Sequence, residues 1–157
     1  MRSVCLALRM ESATYRIWGP RTDVTFWFYS HGPKGTIEKG VCYEEHSKIR
    51  GLYSLSFGDV DENGNIDYHR VSDNDDREKV LATVTTTVLE FFDLHPDGCV
   101  YVEGSTPART RLYQIRISKN LFTLLKRFEI YGRLQAKWCN FERGVNYDAF
   151  AVKKKKL

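Results

Sequence analysis

The stretch Gly98–Ile117, GCVYVEGSTPARTRLYQIRI, decides the fold. Gly98 to Glu103 reads as a short buried strand, and Gly104 to Thr106 is a turn. Pro107 then stands where the first turn of a helix tolerates the missing N–H, which makes Thr106 the predicted N-cap. The helix from Pro107 is predicted to run to about Ile117. Upstream, Val80, Leu81, Val84, Val88, Phe91 and Phe92 recur at steps of three and four, with no Gly or Pro before Pro96. That period predicts a helix of about five turns, Asp76 to Leu94. Asp75 and Glu78 are spaced as a capping-box-like pair, and the acids of the first turn complement the helix dipole.

Further outward, Thr22 to Tyr29 (TDVTFWFY) and Gly40 to Glu44 read as strands around a turn at His31 to Gly35. Gly51 to Phe57 (GLYSLSF) alternates with period two. Downstream, Ser118 is the predicted cap of a further helical piece carrying Leu121, Leu124, Leu125 and Phe128. Strands are expected near Glu129 to Trp138 and Tyr147 to Val152. This order predicts a single α+β domain over residues 1–157, with a mixed or mainly antiparallel sheet, two principal helices and a basic tail at 153–157.

The composition agrees with such a domain. At 157 residues, 42% hydrophobic and 13% aromatic, the chain is too apolar for disorder. No apolar run approaches the roughly 18 residues of a membrane span, so no membrane contact is expected. The formal net charge of +4 conceals a division. Residues 1–104 hold 11 basic and 17 acidic side chains, whereas residues 105–157 hold 13 basic and 3 acidic ones. That asymmetry directs attention to anionic partners. Cys5, Cys42, Cys99 and Cys139 show no metal-binding or C-x-x-C spacing, and the charges in Met1 to Glu11 do not suit a signal peptide. The expected location is the cytoplasm, with the thiols reduced.

Two motifs carry chemistry. Asp59, Asp61, Asn63, Gly64, Ile66 and Asp67 match much of an EF-hand calcium loop, but position 12 is Arg70 where a bidentate carboxylate belongs. The competing reading is a polar hairpin turning at Asn63-Gly64, and no metal is expected. The second motif is the start of the helix at 107. Ser105, Thr106, Arg109, Arg111, Tyr113 and Arg116 together offer hydroxyls, guanidiniums and a helix N-terminus, the groups that hold a phosphate or carboxylate. Arg111 projects about 160° away from Arg109, so the two cannot act alike. The alternative is that these arginines pair with the acids at 73–78.

Other candidates are weaker. Arg133, Lys137 and Arg143 interleave with Trp138, Phe141 and Tyr147, a pattern that suits stacking on unpaired bases, although an aromatic core edge explains it too. Lys153, Lys154, Lys155 and Lys156 form a run able to track an anionic backbone. Glu103 is the single carboxylate placed for acid/base work, with a salt bridge as the competing role. The histidines at 31, 46, 69 and 95 are scattered, and no catalytic triad or H-E-x-x-H motif is present.

KVLATV (Lys79 to Val84), GSTPARTRLYQI (Gly104 to Ile115) and GVNYDAFAVKKK (Gly144 to Lys155) resemble an uncharacterised bacterial family best known from Bacteroidota. The resemblance implies a compact cytosolic protein and carries no activity. The order of elements is also similar to that of the GNAT acetyltransferase fold, whose acyl-CoA fingerprint is a Gly-rich turn before the central helix. Here that turn is Ser72 to Asp76, with charges of the wrong sign for pyrophosphate, so no cofactor is expected. The leading expectation is a non-enzymatic binding module whose basic C-terminal third contacts nucleic acid, a phosphorylated ligand or an acidic protein partner. The alternatives are an acyltransferase-like enzyme and a component of a toxin–antitoxin pair.

Overall fold

The computed structural model describes residues 13–21, 24–70 and 72–156. The reading of Met1 to Glu11, and Cys5 with it, lies outside the described residues. The chain is α+β, with a mixed, mostly antiparallel sheet and two substantial helices. It divides into two compact units, one of residues 1–44 and 56–94, the other of residues 45–55 and 95–157. The charge follows the division. The first unit has 9 Lys plus Arg against 14 Asp plus Glu, and the second has 15 against 6.

In the first unit, β1 (Trp18–Arg21), β2 (Val24–Gly32) and β3 (Gly35–Glu45) form an antiparallel meander. The second half of β4 (Leu52–Val60) pairs with the short β5 (Ile66–Asp67). Phe26, Phe28 and Ser30 alternate inward along β2 and are fully buried, the period-two signature of a strand with one covered face. The helix α1 (Arg77–Leu94) buries Val80, Leu81, Ala82, Val84, Leu89, Phe91 and Phe92. Tyr43 stacks on Phe91 with ring centroids 4.5 Å apart, and its buried hydroxyl lies 2.7 Å from the hydroxyl of Thr87. Burial drives the Tyr43 phenol far above its ordinary value.

The start of α1 departs from the expected capping box. Asp76, one residue later than expected, gives its carbonyl to the N–H of Val80 and so occupies the N-cap position. Asp75 takes φ 57°, a left-handed conformation, and its N–H is held by the Asp73 carboxylate at 3.1 Å. The Asp76 carboxylate accepts the hydroxyls of Tyr15 and Ser30, at 2.7 and 2.5 Å. Asn74, only 1% exposed, donates to Ser30 Oγ and to the Gly35 carbonyl and accepts the N–H of Lys34. The helix start is thereby tied to the β2–β3 turn. The chains approach so closely there that a Cβ at Gly32 would collide with the Asn74 carbonyl.

In the second unit, the first half of β4 runs parallel to β6 (Cys99–Val102). On the far side of β6 lies β9 (Ala149–Lys154), then β7 (Phe128–Leu134) and β8 (Lys137–Asn140), each antiparallel to its neighbour. The expected strand from Glu129 to Trp138 is therefore a hairpin. Its two turn residues, Gln135 and Ala136, both have positive φ, 51° and 61°, the requirement of a two-residue hairpin turn normally met by Asn-Gly. The helix α2 (Pro107–Lys119) is followed by α3 (Leu121–Leu124). Ser118 lies inside α2 instead of capping the next piece, and Asn120 occupies the junction, its side chain donating to the Arg116 carbonyl. Val100, Phe128, Ile130, Phe141, Tyr147 and Phe150 form the core of this unit. Gln114 donates to the Val145 carbonyl and accepts the Tyr147 N–H, fixing α2 to the 145–147 segment.

Candidate functional site

Thr106 caps α2 by accepting the N–H of Arg109 at 3.2 Å, with Pro107 in the first turn. Gly104 turns tightly there and gives its N–H to Thr110 Oγ1 at 3.0 Å; a Cβ at this position would strike the Arg109–Thr110 backbone. Ser105, Thr106 and Tyr113 gather around Arg109, whereas Arg111 and Arg116 have other surroundings. Arg109 is half-buried and donates to Ser105 Oγ at 2.9 Å. Exposed Arg111 donates to Asn146 at 3.0 Å, while Arg116 is buried. The Tyr113 phenol is pushed up by burial, with Arg109 opposing.

The basic and aromatic residues further along divide as well. Phe141 and Tyr147 are core residues, whereas Trp138 is 45% exposed. Arg143 donates twice to the Ser118 carbonyl, at 2.9 and 3.1 Å, a cation neutralising the carbonyl-rich end of α2. Lys137 and Lys153 to Lys156 are exposed.

One face of the β6–β9–β7–β8 sheet does bring functional groups together. Tyr101, Ala151, Tyr131 and Asn140 stand in one cross-strand row, so their side chains share a face; Arg133, opposite Ala149 and Trp138, stands in a second row two residues along. Lys153, opposite Glu129 and Cys99, completes a third. The rings of Tyr101 and Trp138 meet edge to face at 6.0 Å, and the Arg133 guanidinium lies 5.8 Å from the centroid of each. Arg133 is held by Asp148 at 2.6 Å and by Glu103 at 3.7 Å. Each tyrosine hydroxyl donates to a carboxylate two residues away, Tyr101 to Glu103 and Tyr131 to Glu129. Burial first, and then Glu103, raises the Tyr101 phenol to about 12. The hydrogen bond that Tyr131 donates to Glu129 is the largest influence raising its phenol. Arg133 is likewise held more firmly protonated, chiefly by Asp148.

The sequence reading does not single out Tyr101 and Tyr131. The signal was present as Tyr101-Val-Glu103 and Glu129-Ile-Tyr131, since residues two apart on a strand share a face. Glu103 accepts the Tyr101 hydroxyl and lies 3.7 Å from the Arg133 guanidinium through the same oxygen, Oε2, which positions both neighbours.

The acidic loop folds as a hairpin turning at Asn63-Gly64, with Gly64 at φ 81°. Asp59 is buried and paired with Lys39, whose ammonium also donates to Ser72 Oγ at 2.8 Å, and Arg70 lies 3.9 Å from the other Asp59 oxygen. Asp61 accepts the N–H groups of Asn63 and Asn65, and Asp67 those of His69 and Arg70. The His69 N–H is the first cause holding the Asp67 carboxyl below its usual range. Among the described residues, no group of three or more His, Cys, Asp and Glu is placed to hold a metal ion. No described helix is long and apolar enough to cross a membrane.

A model for a family of unknown function (DUF6934) matches residues 11–155, and the chain belongs to that family. No curated protein and no solved structure matches the chain.

Proposed function

We propose that this member of a family of unknown function is a non-enzymatic binding module that takes single-stranded nucleic acid on the open sheet face of its second unit. The observation that carries the reading is the row Tyr101–Ala151–Tyr131, with Trp138 two residues along beside Arg133. Ala151 is too small to shield the rings on either side, and the carboxylates that hold both hydroxyls fix the rings before any ligand arrives. Base–aromatic stacking on such a platform needs no particular sequence. Glu103 and Asp148 engage the Arg133 guanidinium, which leaves the phosphates to Lys153 and the lysines that follow it. A bacterial origin and a cytoplasmic location belong to the same proposal.

A second reading rests on topology. β4 and β6 are parallel with α1 between them in the chain, and the final strand β9 inserts between β6 and β7. That order is similar to the second half of the GNAT acetyltransferase fold, but fold does not establish function. The turn that would wrap an acyl-CoA pyrophosphate is filled by the side chains of Asn74 and Asp76, which favours binding over acyl transfer.

Anisotropy of a fluorescein-labelled 15-mer of thymidylate, titrated with the full chain, tests the proposal. Binding is expected at 50 mM NaCl and should weaken at least tenfold by 200 mM. Tyr131→Ala and Trp138→Ala should each weaken it by about 5- to 150-fold, the loss of roughly 1–3 kcal/mol per stacked base. Absent or salt-independent binding, or affinity unchanged from that of the unaltered chain in both variants, defeats it. A rise in melting temperature with acetyl-CoA at millimolar concentration would favour the second reading instead.

A further inference from the structure

The surface of α2 and α3 carries a second feature, separate from the sheet face. Between Glu103 and Glu129 the chain contains no acidic residue, yet it has Arg109, Arg111, Arg116, Lys119, Lys126 and Arg127. Within that basic stretch, large apolar side chains are exposed: Phe122 at 75%, with Ile115 and Leu125 also open. Phe122 is the most exposed large hydrophobic side chain among the described residues, and the Lys126 ammonium sits 4.7 Å from its ring centroid. Arg111, Ile115 and Lys119 follow one another at steps of four along α2, and Phe122 and Lys126 continue the basic and apolar run through α3 and the turn after it. Aromatic side chains beside cations are common anchors of binding surfaces.

We infer that this stripe is a docking surface for an acidic amphipathic helix of another protein, with apolar side chains of the partner covering Phe122, Ile115 and Leu125 and its carboxylates meeting Arg111, Lys119 and Lys126. Charge complementarity selects the occupant. A second copy using the same surface would set a purely basic stripe against itself, and like charges across an interface are costly. A nucleic acid would find one ring and two aliphatic side chains instead of a series of stacking rings. A helical segment presenting leucine-like residues at steps of three and four fits both the apolar stripe and its basic border.

The test is selection of random 20-residue peptides displayed on phage, using the full chain as bait and the Phe122→Asp chain as counter-bait. The retained peptides should be rich in Asp and Glu, with large apolar residues at helical spacing. A synthetic peptide of that consensus should bind at least tenfold more weakly to Phe122→Ala and to Lys126→Glu, both checked for native circular dichroism. Phe122 is so exposed that neither change should unfold the protein. Peptides without acids or helical spacing, or affinity untouched by both variants, overturn the inference. So does Phe122-dependent binding to vesicles containing 30% phosphatidylserine without peptide binding, which would make the surface a membrane contact. The Trp138→Ala chain should bind the peptide normally, which keeps this result independent of the nucleic-acid proposal.

Discussion

Replacing Asn74 with Ala removes a side chain that is 1% exposed and holds three hydrogen bonds: to Ser30 Oγ at 3.1 Å, to the Gly35 carbonyl at 3.0 Å and from the Lys34 N–H at 2.8 Å. Ser30 keeps its bond to Asp76, but Lys34 N–H and Gly35 C=O lose the amide that faced them. At about 1 kcal/mol per net hydrogen bond, the loss is about 3 kcal/mol. For a chain of this length that corresponds to about 6–12 °C in Tm. Asn74→Asp should be worse at neutral pH, because it directs a carboxylate at two oxygen atoms. The control is Asp73→Ala: Asp73 is exposed and accepts only a local turn N–H at 3.1 Å, so the change should cost less than about 1 kcal/mol. Scanning calorimetry and guanidinium titration followed by circular dichroism measure all three. An Asn74→Ala chain that melts within about 2 °C of the unaltered protein, or no lower than Asp73→Ala, refutes the reasoning.

Two other expectations follow from buried or shielded groups. Lys39→Met strips the buried Asp59 carboxylate of its principal cation and should cost about 3–5 kcal/mol, whereas Lys39→Met with Asp59→Leu should recover much of it; equal stability in the single and double variants, read by urea titration, contradicts this. The Tyr101 phenol should ionise near 12 when absorbance at 295 nm is compared with that of Tyr101→Phe. Because the folded chain holds that proton more tightly than the unfolded chain does, the associated stability is complete below about pH 10 and is lost as pH rises through 12. Glu103→Gln should bring the ionisation earlier, and an unchanged curve would show that Glu103 has no part in it.

The elements were legible where local chemistry is strong. The apolar period from Val80 to Phe92 marks α1, and Thr106-Pro107 marks the start of α2, because N-caps and helical periodicity act over three or four residues. Asn63-Gly64 marks the β4–β5 turn for the same reason. The Gln135-Ala136 turn was not legible, since neither residue favours positive φ; the pairing of β7 with β8 imposes it. Nor was β1 legible, being four residues that gain their strand geometry from β2.

The candidate sites divide in the same way. The sequence by itself established which residues are chemically able to bind an anion: the charge asymmetry, the arginines and hydroxyls around Gly104 and the closing lysines are matters of composition and short spacing. Only the tertiary structure decided which of them lie together. Cross-strand register places Tyr101, Tyr131, Arg133 and Trp138 on one face, while packing of the segment after β8 buries Phe141 and Tyr147 and brings Arg143 to the end of α2. Register is set by pairing between residues 16 to 54 positions apart, and local spacing carries no record of it.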